Sequence, residues 1–142
     1  MKFIVDKSYW NLFPDSKLGV LLLKNIQNGE STDEIKSILK EANNEAKKYL
    51  TKEILSENPV IAVWREAYKK FKTKKGVRSS IEALLKRVNS GNPVSSINKF
   101  VDIYNSASLK YGLPCGAEDL DSFVGDLKLT ITQGGDKFIP LG

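Results

Sequence analysis

Three polar residues in the C-terminal half of the chain stand at spacings that could serve chemistry. Asn98, Asp102 and Asn105 are four and three residues apart, so an α-helix would align them in one stripe. A carboxamide can orient a water or hold a hydroxyl group, because it both donates and accepts hydrogen bonds, and Asp102 could accept one from an α-amino group. The stripe predicts a polar ligand face, although its composition alone favours an exposed side of a helix.

A tight bend follows the predicted helix, in the sequence Gly112-Leu113-Pro114-Cys115-Gly116. The glycine at its start should end the helix, and the bend and the polar stripe could together form one shallow pocket. A thiolate at the cysteine could act as a nucleophile. No histidine is present to activate it, so a small turn residue is the favoured interpretation.

Glu118, Asp119 and Asp121 form an acidic loop after the bend. Paired carboxylates can bind magnesium or act as acid and base. Their spacing is specific to neither role, and Asp119 or Asp121 also fits the cap of a local turn. We therefore expect no metal site and no cofactor.

The chain of 142 residues contains no histidine and one cysteine. Catalysis by Ser-His-Asp or Cys-His groups is excluded for this chain alone, and a zinc site would need more cysteines. One cysteine cannot form an internal disulfide, which indicates a cytoplasmic protein. No segment reaches the roughly 20 apolar residues that a membrane-spanning helix needs, so we expect no membrane partner.

The positive charge is concentrated in one region. Residues 62–90 hold nine basic side chains against two acidic ones, within a net charge of +5 for the whole chain. Six of these cations fall within ten residues, and they are Lys69, Lys70, Lys72, Lys74, Lys75 and Arg78. Such a cluster predicts contacts with nucleic-acid phosphates, although a solvated face is the simpler alternative. Ser79 or Ser80 could cap the next helix or help bind an anion there.

The patterns predict an α/β or α+β domain with a small mixed sheet and about four helices. Predicted strands cover Lys2–Val5, a buried run from Leu18 to Leu23, the alternating residues 127–131 and a hairpin return at Phe138–Leu141. Predicted helices run from Ser31 to Leu50, from Pro59 onward, from Ser79 to Gly91 and from Ser96 to Gly112. The predicted core faces include Val60, Val63, Trp64, Ala67 and Phe71 in the second helix, Ile81, Leu84, Leu85 and Val88 in the third, and Ile97, Phe100, Val101, Tyr104 and Tyr111 in the last.

Several motifs in order resemble the amino-acid-editing domain of the phenylalanyl-tRNA synthetase beta subunit. The likeness is densest from Ser95 onward, where its motifs are Val101 to Asn105, then Gly112-Leu113-Pro114, and then Asp119-Leu120-Asp121. It covers roughly residues 17–142, with Lys137 to Leu141 similar to a short strand of the family. Trp64 to Tyr68 and Arg78 to Leu85 are more similar to free-standing relatives of that domain.

The resemblance implies a protein that handles aminoacyl-tRNA and hydrolyses a wrongly attached amino acid. Asn105 matches the pocket asparagine of the family, while Gly116 stands where the synthetases carry a pocket histidine. The implied catalytic positions are Asn105 and Gly116, and the implied substrate-binding positions are Asp102, Pro114, Cys115 and Glu118. We expect one editing-like domain over residues 1–142, without the C-terminal part of the family domain and therefore without its tyrosine-reading acidic side chain.

Three functions remain open from the sequence. The first is a deacylase that clears mischarged tRNA in trans, with the aminoacylated 3′ end of tRNA as its partner. The second is a module without catalysis that binds tRNA or an aminoacyl-tRNA synthetase. The third is a binder of a free amino acid, for which the lysines would only add solubility.

Overall fold

The computed structural model describes residues 1–72, 76–135 and 137 of the chain. It divides into two compact units, a terminal unit of residues 1–24 and 118–142 and a helical unit of residues 25–117. The described residues form five α-helices and one two-stranded sheet. The predicted α+β class with a small sheet is therefore confirmed.

The terminal unit contains the sheet. Its strands are β1 (Phe3–Val5) and β2 (Leu127–Leu129), which pair in parallel, and the helix α1 (Lys7–Leu12) follows β1 directly. Asp6 caps α1 by accepting a hydrogen bond from the Ser8 backbone N–H at 2.9 Å. That hydrogen bond is the largest of the contacts that lower the pKa of Asp6 to about 2.

Two of the four predicted strands are present. The N-terminal strand and the strand at residues 127–131 are confirmed as β1 and β2, although both are short. The predicted return strand Phe138–Leu141 lies outside the described residues.

The predicted buried strand from Leu18 to Leu23 is wrong. This segment has no regular secondary structure, and its apolar side chains lie open to solvent, with Leu21 83% exposed. An apolar run favours a strand only where another backbone supplies the hydrogen bonds of a ladder, and the described residues supply none to it.

The helical unit contains the four longer helices. These are α2 (Asp33–Glu45), α3 (Pro59–Tyr68), α4 (Ser80–Asn89) and α5 (Lys99–Tyr111), with short 3-10 turns at Ala46–Tyr49 and Leu55–Glu57. Their apolar faces enclose one core, formed by Leu39, Ala42, Ala46, Ile61, Ile81, Leu85, Val88, Val94 and Leu109. The burial of these side chains provides most of the drive for this packing.

Two of the predicted helices begin one or two residues later than predicted. Thr32, not Ser31, accepts the Ile35 backbone N–H at the start of α2, and Asn98, not Ser96, caps α5. Ser79 caps α4 as predicted. The hydroxyls of Ser31 and Ser96 instead donate to a buried carboxylate on α5.

The predicted core face is correct for α4 and rotated for α3. Ile61 is fully buried while Val63 is 60% exposed, because five consecutive apolar residues leave the helical period undetermined. The predicted core face of the last helix also fails at both ends, since Ile97 precedes α5 and is exposed, Tyr111 is exposed, and Leu109 is buried instead.

Two buried asparagines fix the connections between helices. The Asn58 side chain accepts the backbone N–H groups of Thr51 and Lys52 at 2.8 and 2.9 Å, which holds the loop before α3. Asn43 on α2 exchanges hydrogen bonds with both backbone groups of Val94. Each buried amide therefore replaces hydrogen bonds that the irregular backbone would otherwise lack.

Candidate functional site

The carboxylate of Asp102 lies at the centre of the first turns of α5 and is fully buried. It accepts hydrogen bonds from the hydroxyls of Ser31 and Ser96 on one oxygen, and from the Ile97 backbone N–H at 2.8 Å on the other. These bonds tie the segment before α2 and the segment before α5 to the same helix. Asp102 therefore has no exposed surface to offer a ligand, and its contacts are those of a structural anchor.

Opposing effects set the pKa of Asp102. Burial favours the neutral carboxyl, but hydrogen bonds from Ser31, Ser96 and the backbone of Ile97 and Asn98 outweigh it. The pKa of Asp102 consequently lies below its ordinary value, and the group stays ionised at neutral pH.

Asn105 lies one turn further along α5 and is partly buried. Its carboxamide makes no hydrogen bond within residues 1–72, 76–135 and 137. Every buried side-chain nitrogen or oxygen of these described residues has a partner, so an unpaired amide must reach solvent. Asn105 is therefore an open hydrogen-bonding group on a largely buried helix.

The bend after α5 is held on two sides. Gly112 has a left-handed backbone with φ of 67°, and a Cβ placed there would lie 3.0–3.1 Å from the Tyr49 ring and Val60. The Tyr49 hydroxyl donates to the Lys110 carbonyl at 2.7 Å, which satisfies one carbonyl at the helix end. Only glycine fits this position, because a side chain would be both strained and crowded.

Pro114 and Cys115 are partly buried, whereas Gly116 is exposed. The Cys115 thiol makes only a long contact of 3.8 Å to the Leu113 carbonyl, and burial raises its pKa. A Cβ at Gly116 would meet no atom within 4 Å. The bend thus combines a thiol that remains protonated at neutral pH with an open position that could accept a side chain.

Three consecutive backbone N–H groups follow Pro114. Those of Cys115, Gly116 and Ala117 donate to no acceptor within the described part of the chain. Successive free N–H groups can stabilise a negative charge. These three groups are therefore free to donate to water or to a ligand.

The acidic loop belongs to the terminal unit and is exposed. Asp119 accepts the Asp121 backbone N–H at 3.0 Å and the Ser122 hydroxyl at 3.3 Å, which confirms the local cap interpretation for this residue. Glu118 is exposed and makes no hydrogen bond to another described residue. Across the described ranges, no group of three acidic, cysteine or histidine side chains lies close enough to hold a metal ion.

The described members of the basic cluster are exposed at the end of α3 and in the loop before α4. Lys69 pairs with Glu66 one turn earlier, and the Arg78 guanidinium donates to the Gly76 carbonyl at 3.2 Å. Lys70 and Lys72 are exposed as well, while Lys74 and Lys75 lie outside the described residues. The described cations therefore form a surface that can reach a phosphate backbone.

One family relationship accounts for this combination of features. The B3/4 domain family matches residues 63–142, which is more than half of the chain and contains α4, α5, the bend and the basic cluster. The chain belongs to the B3/4 domain family. This is the domain family found in the phenylalanyl-tRNA synthetase beta subunit, as the sequence motifs predicted. Searches of curated proteins and of solved structures found no match.

The B3/4 domain contains a partly buried ion pair that the sequence patterns did not reveal. Arg65 on α3 donates to both carboxylate oxygens of Glu82 on α4, at 2.6 and 3.2 Å, and Glu82 is nearly fully buried. The hydrogen bond to this carboxylate raises the pKa of Arg65. A charged residue on an otherwise apolar helix face is the only sequence signal, and the spacing from Ser79 favours a capping box for Glu82 instead.

A shallow cleft of about 310 Å³ lies elsewhere in this B3/4 protein, in the terminal unit. It is lined by Ser8, Asn11, Leu12, Ile131 and Gln133, none of which was a predicted site residue. Among the described helices, none is long and apolar enough to cross a bilayer.

Proposed function

We propose that this B3/4 domain protein is a free-standing deacylase that hydrolyses the ester of mischarged tRNA. The observation that carries the proposal is the Asn105 carboxamide, which reaches solvent and has no hydrogen-bond partner among the described residues. A carboxamide that reaches solvent at the motif position is free to donate to and accept from a ligand. Membership of the synthetase-related family supports the same substrate class.

The proposed chemistry uses a water rather than a side-chain nucleophile. Asn105 orients a water that attacks the ester carbonyl, and backbone N–H groups after Pro114 stabilise the oxyanion that forms. The intermediate then expels the ribose oxygen, which takes up the proton that the water loses. The neighbouring ribose hydroxyl assists this transfer. Cys115 stays a protonated bystander, because burial raises its pKa.

The other predicted substrate positions enter the proposal with different roles. Pro114 and Cys115 are partly buried at the bend and are proposed to line the amino-acid side of the pocket. Asp102 is proposed to act indirectly, because its buried carboxylate fixes the start of the helix that carries Asn105. Glu118 is exposed in the terminal unit, and its substrate-binding role stays a separate prediction.

The basic cluster is proposed to hold the tRNA backbone. Lys70, Lys72 and Arg78 are exposed, and phosphate contacts of this kind do not read the base sequence. Each phosphate neutralised should contribute about −0.9 to the slope of log affinity against log salt concentration on duplex nucleic acid.

The catalytic test is a deacylation screen over a panel of mischarged tRNAs. Asn105→Ala should lower the rate about a hundredfold on the substrate that is cleaved, which is the usual loss when one polar group of such a site is removed. Asn44→Ala is the matched control, because Asn44 is an exposed helical asparagine on α2. Wild-type rates for Asn105→Ala across the panel would refute the assignment.

The binding test compares charge reversals at two exposed lysines. Lys72→Glu should weaken binding to all tRNAs alike and make the salt slope shallower by about one unit, whereas Lys40→Glu on α2 should leave both unchanged. A flat slope for the wild-type protein would exclude both RNA functions. Loss of affinity for a single tRNA would contradict contacts that involve phosphates alone.

A second candidate is a module that binds tRNA or a synthetase without hydrolysis. The observation that favours it is the state of the bend, which has a protonated thiol at Cys115 and no side chain at Gly116. Salt-dependent tRNA binding together with no cleavage of any charged tRNA would establish this candidate over the first.

A further inference from the structure

We propose that Ser108 is a positioning residue that locks the bend after α5 in one conformation for ligand binding. This inference rests on the proposed function for its biological purpose. The lock itself is a property of the chain that can be measured without any substrate.

Ser108 directs its hydroxyl forward along the chain rather than backward. A buried serine in a helix ordinarily donates to the carbonyl of the preceding turn, as Ser106 does to the Asp102 carbonyl at 2.6 Å. Ser108 is fully buried, but its hydroxyl donates to the Leu113 carbonyl beyond the helix end. The Ser108 hydroxyl therefore stabilises the bend after α5 rather than the helix itself.

The hydrogen bonds between Ser108 and Leu113 are reciprocal. The Leu113 backbone N–H donates to the Ser108 carbonyl at 3.2 Å, and the Gly112 N–H donates to the same carbonyl at 2.9 Å. The N–H and the C=O of Leu113 are thus both bound to one residue of the helix. The Leu113 side chain is 56% exposed, so packing contributes little to holding it and the hydrogen bonds carry the constraint.

The next residue extends this constraint into the proposed site. Pro114 fixes its own φ and restricts the preceding residue to an extended backbone. With Leu113 bound on both sides, the direction in which the chain enters Cys115 is determined. The free N–H groups of Cys115, Gly116 and Ala117 begin directly after this constrained segment, and stabilisation of an oxyanion requires such donors to be held in place.

The only cysteine of the chain reports on this lock. Cys115 lies two residues beyond Leu113 and is partly buried, so the rate at which a thiol reagent labels it measures the opening of the bend. Ser108→Ala should raise that rate about fivefold, since one hydrogen bond of ordinary strength is lost. The apparent thiol pKa, read from the pH dependence of labelling, should fall toward its ordinary value as burial is relieved.

Ser106→Ala is the matched control, because Ser106 is also a buried serine of α5 bound to a carbonyl. The labelling rate of Ser106→Ala should match that of the wild type within about twofold. The apparent pKa of its thiol should be unchanged. Labelling of Ser108→Ala at the wild-type rate would overturn the proposal. If circular dichroism shows that Ser108→Ala does not fold, Pro114→Ala supplies the test, and a rise of less than about twofold would overturn it equally.

Deacylation separates the lock from the proposed function. A positioning role predicts that Ser108→Ala lowers kcat about tenfold with KM within about twofold of wild type, while Ser106→Ala changes neither. A wild-type protein with no deacylase activity would refute the proposed function, yet thiol labelling would still decide the lock. Faster labelling with an unchanged kcat would overturn the positioning role.

Discussion

Replacing the buried carboxylate of Asp102 by an amide should destabilise the helical unit in a pH-dependent way. Asp102 is fully buried and accepts three hydrogen bonds, from Ser31, Ser96 and the Ile97 backbone. In the Asp102→Asn variant the amide oxygen can still accept the Ile97 N–H, but the amide nitrogen can only donate to the two serine hydroxyls, so those two bonds reverse direction and all three join neutral groups. Hydrogen bonds to a charged acceptor contribute about 1.5–3 kcal/mol each, against about 1 kcal/mol for neutral ones.

The difference over three bonds is about 1.5–6 kcal/mol, part of which is offset because the variant no longer buries a charge. We therefore expect Asp102→Asn to lower the free energy of unfolding by about 2 kcal/mol at pH 7. Because the pKa of Asp102 is lower in the folded protein than in the unfolded chain, its stabilisation is present above the unfolded pKa of about 3.9 and is lost as the pH falls through the folded value. The gap between variant and wild type should therefore shrink in acid.

Urea denaturation, followed by helical circular dichroism at pH 7 and at pH 3, measures this gap. The depressed pKa of Asp6 is common to both proteins and cancels in the comparison. Asp126→Asn is the control, because Asp126 is an exposed carboxylate that accepts one backbone N–H, from Lys2 at 2.7 Å. It should cost less than about 0.5 kcal/mol. Equal stability of Asp102→Asn and wild type at pH 7, or a gap that does not change with pH, would refute the reasoning.

Three further outcomes are expected. Arg65→Ala should lower the free energy of unfolding by about 2 kcal/mol, because it leaves the buried carboxylate of Glu82 unpaired. Thermal denaturation measures this loss, and an unchanged midpoint temperature would contradict it. In urea denaturation, Gly112→Ala should lower the free energy of unfolding by about 3 kcal/mol, and Gly91→Ala by only about 1 kcal/mol. Both glycines have positive φ, but only at Gly112 would the new Cβ meet Tyr49 and Val60. Equal losses for the two variants would argue against that contact. Gly116→His should fold normally, since a Cβ there has open space, and should raise the deacylation rate at least about tenfold by adding a general base; the proposed site would be misplaced if the variant folds without any gain.

The local sequence pattern predicted a helix and its buried face correctly where helix propensity and packing agree. In α4 the cap at Ser79 and the buried face through Ile81 and Leu85 were both predicted correctly, because a capping residue and a clean apolar period point to the same helix. In α3 the helical period was ambiguous from the sequence, and contacts outside the helix hold its two ends. Asn58 holds its first turn and the ion pair between Arg65 and Glu82 holds its last.

The candidate site was predictable in its residue types and not in their roles. Asp102 and Asn105 belong to one polar stripe in the sequence, but one is enclosed by hydroxyl donors and the other reaches solvent. Nothing in the stripe distinguishes them, because burial depends on what packs against each position. The hydrogen bond from Ser108 to Leu113 could likewise not be predicted, because the sequence does not show which carbonyl a helical serine hydroxyl binds.

Composition and motif order by themselves determined the absence of histidine chemistry, the local positive charge, the α+β class and the family. Tertiary structure alone decided which polar groups are hydrogen-bonded within the fold and which remain available to a ligand. It also decided that the apolar run from Leu18 to Leu23 lies exposed. The physical reason is common to both: hydrogen bonds and burial are properties of pairs of groups, and the partners of these residues are distant in the chain or not supplied by its described part.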